Sequence, residues 1–142
     1  MEPVRKIAII ASNGSFNSLV LLSTLIAGLA SSFDAQIRVL FRDEALLALT
    51  KERICDVRFS RAFEGLEEEA LESLKRSGFT DLQSFLRHAK ELGRDVKYFG
   101  CRSSMYIISA AEADLIPEID EVMGVGRFLA EDFADADKVL TF

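Results

Sequence analysis

Tryptophan is absent, histidine occurs once, and only two cysteines and two prolines are found among 142 residues. One histidine and two cysteines fall short of a four-ligand structural zinc site, and their spacing suggests none, so neither metal nor cofactor is expected. Cys55 and Cys101 lie too far apart in sequence for a paired redox motif, and two cysteines do not make a disulfide scaffold. So few prolines, with eight glycines, exclude a collagen-like or low-complexity chain. A long apolar run is also missing. The longest, Phe16 to Ala30, is interrupted by Asn17, Ser18, Ser23, Thr24 and Gly28, and is shorter than the ~18 residues a membrane-spanning helix needs. Basic runs are missing too: 17 Lys and Arg stand against 23 acids, for a net charge of −6. Nucleic acid, which is bound by neutralising phosphates, is therefore not an expected partner. The opening Met1-Glu2-Pro3-Val4-Arg5-Lys6 lacks a signal-peptide layout, so a reduced, cytoplasmic setting is the expectation.

What is present is a core. Nearly half of the residues, 49%, are hydrophobic, eleven of them Phe, and the length suits one domain spanning 1–142. Lys6 to Ala11 is a short continuous apolar run, the mark of a strand buried on both faces of a parallel sheet. Ser12-Asn13-Gly14-Ser15 breaks it with turn residues and a helix N-cap. The helix predicted over Phe16 to Ser31 is apolar nearly all round, more than one sheet face can bury, so it is either unusually enclosed or packed on another subunit. Gln36 to Phe41 reads as a second strand and Asp43 to Lys51 as a helix, with a loop from Arg53 to Arg61. Phe63, Leu66, Ala70, Leu71 and Leu74 form a helical stripe closed by Gly78. Thr80 and Gln83 have capping-box spacing before a helix that Gly93 ends.

Val96 to Phe99 predicts a third strand, Gly100 to Ser104 its turn, and Met105 to Ala113 a helix. A fourth strand within Ile119 to Val125, a helix over Arg127 to Ala134 and a strand over Lys138 to Phe142 complete the alternation. Alternating strands and helices imply right-handed crossovers: an α/β fold of three layers, a mainly parallel five-stranded sheet with helices on both faces.

Ligands of such sheets bind outside the carboxyl ends of the strands. Of the loops there, the one holding Cys101 is the most informative, because a cysteine between a strand end and a helix start meets partial positive charge and unpaired N–H groups. Such surroundings favour a nucleophilic thiolate, and Arg102 and Lys97 add nearby charge. The competing reading is a small buried hydrophobe, the usual condition of a free cysteine. Cys55 reads as structural or incidental, with a resolving thiol as its alternative, and His88 as a solvated helix residue. Ser12 to Ser15 suits an anion at a helix N-terminus but lacks the Gly-Lys-Ser/Thr ending of a nucleotide phosphate loop. Gly124-Val125-Gly126 lacks the third glycine of a dinucleotide fingerprint and reads as a tight turn. Glu67 to Glu69 reads as a solvated helix face.

The segment Tyr98-Phe99-Gly100-Cys101-Arg102-Ser103-Ser104-Met105 resembles the cysteine motif of the DsrE/DsrF-like family of small sulfur-relay proteins. Ile119 to Leu129 and Ala136 to Phe142 resemble that family as well, Lys6 to Ser15 more loosely, while Arg53 to Phe79 and Arg42-Asp43-Glu44 depart from it. The resemblance implies a DsrE-like, flavodoxin-like arrangement and a homo-oligomer, trimer or hexamer, with a sulfur-relay protein as partner. It further implies that Cys101 carries sulfane sulfur as a persulfide, with Asn13, Gly14 and Ser15 nearby and Arg102, Ser103 and Ser104 around the sulfur. The alternative function is a non-catalytic module binding a small anion or a protein, with a structural Cys101.

Overall fold

An apolar run without a polar face makes a strand that needs cover on both sides, as in β1 (Lys6–Ala11); β1 and β2 (Gln36–Phe41) both have the bounds the sequence predicts. The computed structural model describes residues 2–142. β3 (Asp95–Cys101) is longer at both ends than the predicted strand, while β4 is only Glu121–Met123 and β5 is Lys138–Thr141. All five strands are parallel, in the order β4-β3-β2-β1-β5.

That order sorts the helices by face. From β1 to β4 each step moves one place in the same direction, so right-handed crossovers put their helices on one side. These are α1 (Phe16–Ser32), α2 (Asp43–Ala48), α3 (Glu67–Arg76), α4 (Leu82–Leu92) and α5 (Arg102–Ile107). The return from β4 to β5 runs the other way, and its helix α6 (Val125–Phe128), continued by a π-helical turn Leu129–Phe133, covers the opposite face.

The core divides accordingly. Ile7, Ile9, Val39, Phe41, Val96 and Tyr98 point into the larger cluster with α1 and α4, while Ala8, Leu40, Phe99, Cys101 and Met123 meet Phe128 on the other side. The nearly all-apolar α1 finds its cover within the chain, against the sheet and α4: Leu19, Leu22 and Ile26 are fully buried, and Leu21, at 57%, is its one largely exposed apolar side chain.

Several predicted boundaries move for identifiable reasons. The capping pair of Thr80 and Gln83 does not form. Asp81 caps α4 instead, its carboxylate accepting from the Ser84 N–H at 2.8 Å, and Gln83 donates to Glu118. α5 starts directly after Cys101 and stops early. Ser109 takes φ 52°, its N–H reaches the Tyr106 carbonyl, and the Ala110 N–H reaches that of Met105, which is a Schellman ending. Gly78, at φ 101°, closes α3 in the same way, with Gly78 and Phe79 donating to Lys75 and Leu74. α2 ends at Ala48, short of the predicted Lys51, because Thr50 turns out to bridge Leu115.

Candidate functional site

The carboxyl edge of the sheet gathers the candidate residues. β3 and β4 send their connections to opposite faces, so the switch point of the topology lies between them, where Cys101 pairs with Met123. Cys101 is both the last residue of β3 and the N-cap of α5, as the strand-end, helix-start reading requires.

Its surroundings are those of the competing reading, a small buried hydrophobe. The side chain is 0% exposed and packs among Ala8, Leu40, Phe99, Met123 and Phe128. The alternation of β3 explains this: Tyr98 faces α4 and Gly100 faces Leu46 of α2, so Phe99 and Cys101 face α6. Because the thiol points to the face opposite the one α5 covers, it makes no capping hydrogen bond to that helix. Lys97 shares the thiol's face but stands four residues back along β3, about 13 Å away.

The neighbouring motif residues hold the edge together. The buried Ser104 hydroxyl accepts from the Asp43 N–H at 2.7 Å, joining α5 to the start of α2. Arg102 donates to the Val122 carbonyl at 3.2 Å and lies 4.0 Å from Glu112, so its guanidinium braces β4. Ser103 is exposed. Tyr98 donates to the Leu86 carbonyl at 2.7 Å, and burial, with Asp120 and Glu118 nearby, pushes its phenol well above the usual range, so it anchors α4 as a neutral group.

The first loop lies at the same edge but two strands away from β3, about 10 Å between strand axes. Asn13 Oδ1 accepts from the Ser15 N–H and hydroxyl at 3.0 and 2.9 Å, and Ser15 Oγ accepts from the Ser18 N–H, capping α1. The Phe16 N–H goes to the Arg58 carbonyl at 2.7 Å. Two of the donors that could have held an anion at this helix end are thus already used. Gly14 is required sterically, since a Cβ there would sit 2.2 Å from the Glu44 carbonyl oxygen. The structure therefore does not bring Asn13, Gly14 and Ser15 to Cys101; it brings them to Glu44, Arg53 and Arg58 around a separate cleft. The sequence pointed to one wall of that cleft, the Ser12 to Ser15 loop, and gave no motif for the other, which Arg53 to Ser60 supplies.

Cys55 is exposed and Cys101 buried, and neither is in a disulfide. Among the described residues no three His, Cys, Asp or Glu side chains group as metal ligands, and no helix is long and apolar enough to cross a membrane.

The model of the DsrE/DsrF-like family matches residues 5–142. No curated protein is matched. Among solved structures, the ychN protein from E. coli superposes with a TM-score of 0.60 at 21% identity, covering 97% of this chain and 99% of its own. A protein of unknown function from Methanobacterium thermoautotrophicum gives 0.59 at 12% identity, covering 96% and 98%. At such identities these likenesses establish the fold alone.

Proposed function

Because the chain belongs to the DsrE/DsrF-like family, we propose that it takes part in sulfur relay, with Cys101 carrying sulfane sulfur as a persulfide. The observation that carries the reading is the position of Cys101, at the end of β3 beside the switch point between β3 and β4. In loading, the Cys101 thiolate attacks the outer sulfur of a donor persulfide. A new S–S bond forms, the donor's S–S bond breaks, and its electron pair leaves with the donor thiolate. Delivery repeats the exchange, an acceptor thiolate taking the outer sulfur and Cys101 leaving as the thiolate. No oxidant or metal enters either step.

The burial of Cys101 sets a condition on this cycle. Phe128 of α6 and Met123 cover the sulfur, so loading requires α6 and the π-helical turn after it to move aside, or a relay partner to displace them. The π-helical turn is a locus for such movement, since its backbone is wider than a regular helix and such turns concentrate at functional sites. Tyr106 and Ile107, 76% and 79% exposed on α5 directly after the cysteine, supply apolar surface for a second copy or a relay protein.

A second reading is supported by the same burial: a binding or assembly module in which Cys101 is a packing residue. Intact mass after incubation with polysulfide separates the two. A Cys55→Ser protein should gain about 32 Da per sulfur, removable by a reducing thiol, and a Cys55→Ser, Cys101→Ala protein should gain nothing. Absence of any gain while a known carrier is loaded under the same conditions leaves the module reading in its place.

A further inference from the structure

The carboxyl ends of β1 and β2 open into a cleft of about 450 Å³ that Cys101 does not line. Its apolar wall is drawn from four separate segments: Phe16 and Leu19 of α1, Leu47 of α2, Phe59 of the loop before α3, and Leu82 of α4. The loop is firmly held as a wall. Its Arg58 carbonyl accepts from the Phe16 N–H, the Ser60 N–H donates to Asn17 Oδ1 at 2.8 Å, and Phe59 meets the Phe16 ring edge-on at 5.2 Å. A concave, mostly apolar, preformed volume of this size is what small-molecule sites have in common.

Four charged residues reach the cleft, Glu44, Asp56, Arg53 and Arg58. Asp56 and Arg58 stand 3.8 Å apart, both largely in solvent, and Glu44 is exposed at the rim. Arg53 is different. It is half-buried, and among the described residues its guanidinium meets neither a carboxylate nor a hydrogen-bond acceptor. Its unpaired nitrogens are open to the solvent of the cleft beside the apolar wall, where a carboxylate supplies the planar, two-pronged acceptor that guanidinium geometry suits.

We propose that this cleft binds a small organic acid, its carboxylate on Arg53 and its apolar body against Phe16, Leu47, Phe59 and Leu82. The site is independent of sulfur chemistry at Cys101. The helix end of α1 is not its anchor, because the Phe16 and Ser18 N–H groups already have acceptors within the chain.

The test uses octanoate and its neutral counterpart 1-octanol, titrated into the isotope-labelled full chain and followed by amide NMR shifts. Octanoate should shift the amides of Phe16, Leu47, Arg53 and Phe59 and bind about ten-fold more tightly than octanol, as a charge-assisted hydrogen-bonded pair implies. Arg53→Gln should bring octanoate affinity down to that of octanol and leave octanol binding unchanged. Arg53→Lys should recover part of the preference. Cys101→Ala should bind octanoate like the wild type, so failure here and failure of the persulfide reading stay distinct. Equal affinity of wild type for acid and alcohol, shifts confined to other surfaces, or no binding would each overturn the proposal. That comparison needs only the wild type, so it decides even if an Arg53 variant folds poorly.

Discussion

The Ser104 hydroxyl accepts a hydrogen bond from the Asp43 N–H at 2.7 Å, and Asp43 holds φ 54° at the first turn of α2. A left-handed non-glycine backbone costs roughly 1–2 kcal/mol, so the contact from α5 supports a strained entry to α2. The two segments, 61 residues apart, lie at neighbouring strand ends because β2 and β3 pair in register from Gln36 with Asp95 to Phe41 with Gly100.

Ser104→Ala leaves that part-buried N–H without its acceptor. A loss of about 1–3 kcal/mol is expected, read as a lower urea midpoint at unchanged slope. Asp43→Gly in the same background should restore about 1 kcal/mol, since glycine adopts the positive φ freely. A Ser104→Ala protein as stable as the wild type would show that water or a local shift satisfies the amide.

Alkylation should separate the two cysteines by rate. Cys55 is exposed and open to iodoacetamide in the native chain, while Cys101 waits for its cover to open. Mass spectrometry of tryptic peptides at timed intervals should find Cys55 modified at least about ten-fold faster in the native chain, with the difference gone in denaturant. Equal native rates would mean that Cys101 is open in solution. Alanine is the better replacement at this position, because a serine hydroxyl would be buried among apolar neighbours at a cost of about 1–3 kcal/mol.

Ser109→Gly should stabilise the protein. The left-handed penalty of about 1–2 kcal/mol is removed, against the ~0.5–1 kcal/mol of chain entropy that glycine adds, leaving a gain of about 0.5–1 kcal/mol. Thermal unfolding measures it. A lower melting temperature would mean that the Ser109 side chain makes a contact that outweighs its backbone strain.

Stability should depend on Asp95 in a defined acid window. The Arg38 guanidinium donates to its carboxylate at 3.0 Å and holds its pKa below the usual carboxylate range, despite partial burial. The folded value therefore lies below the unfolded one of about 3.9, so the stability of the pair is fully present above that pH and disappears as pH falls through the folded value. The gap in urea midpoint between wild type and Asp95→Asn should be constant between about pH 5 and 7 and close below about pH 4. A gap that does not narrow at all as pH falls from about 4 to 2.5 would assign the effect to packing rather than charge.

Self-association through α5 predicts a mass above 15.8 kDa by light scattering at micromolar concentration. Ile107→Lys, at the most exposed large apolar position, should shift that mass toward the monomer without altering the circular dichroism. A monomeric wild type would remove the role given to Tyr106 and Ile107 in binding a second copy.

The sequence by itself determined the alternation of strands and helices, the bounds of β1 and β2, and the cap at Ser15, because each depends on neighbours a few residues away. A strand buried on both faces must be apolar throughout, and a cap needs only its own first turn. The position of Cys101 at a strand end was legible in the same way, and so was the family, which rests on local strings of residues. The tertiary structure alone decided that the thiol is covered, since Phe128, Met123, Leu40 and Ala8 arrive from four other segments. It also decided that Ser104 supports Asp43 and that Asn13, Gly14 and Ser15 border a cleft with Arg53 instead of the cysteine. Sheet order brings those residues together or keeps them apart, and strand pairing across dozens of residues is set by how the whole core packs, which no local pattern encodes.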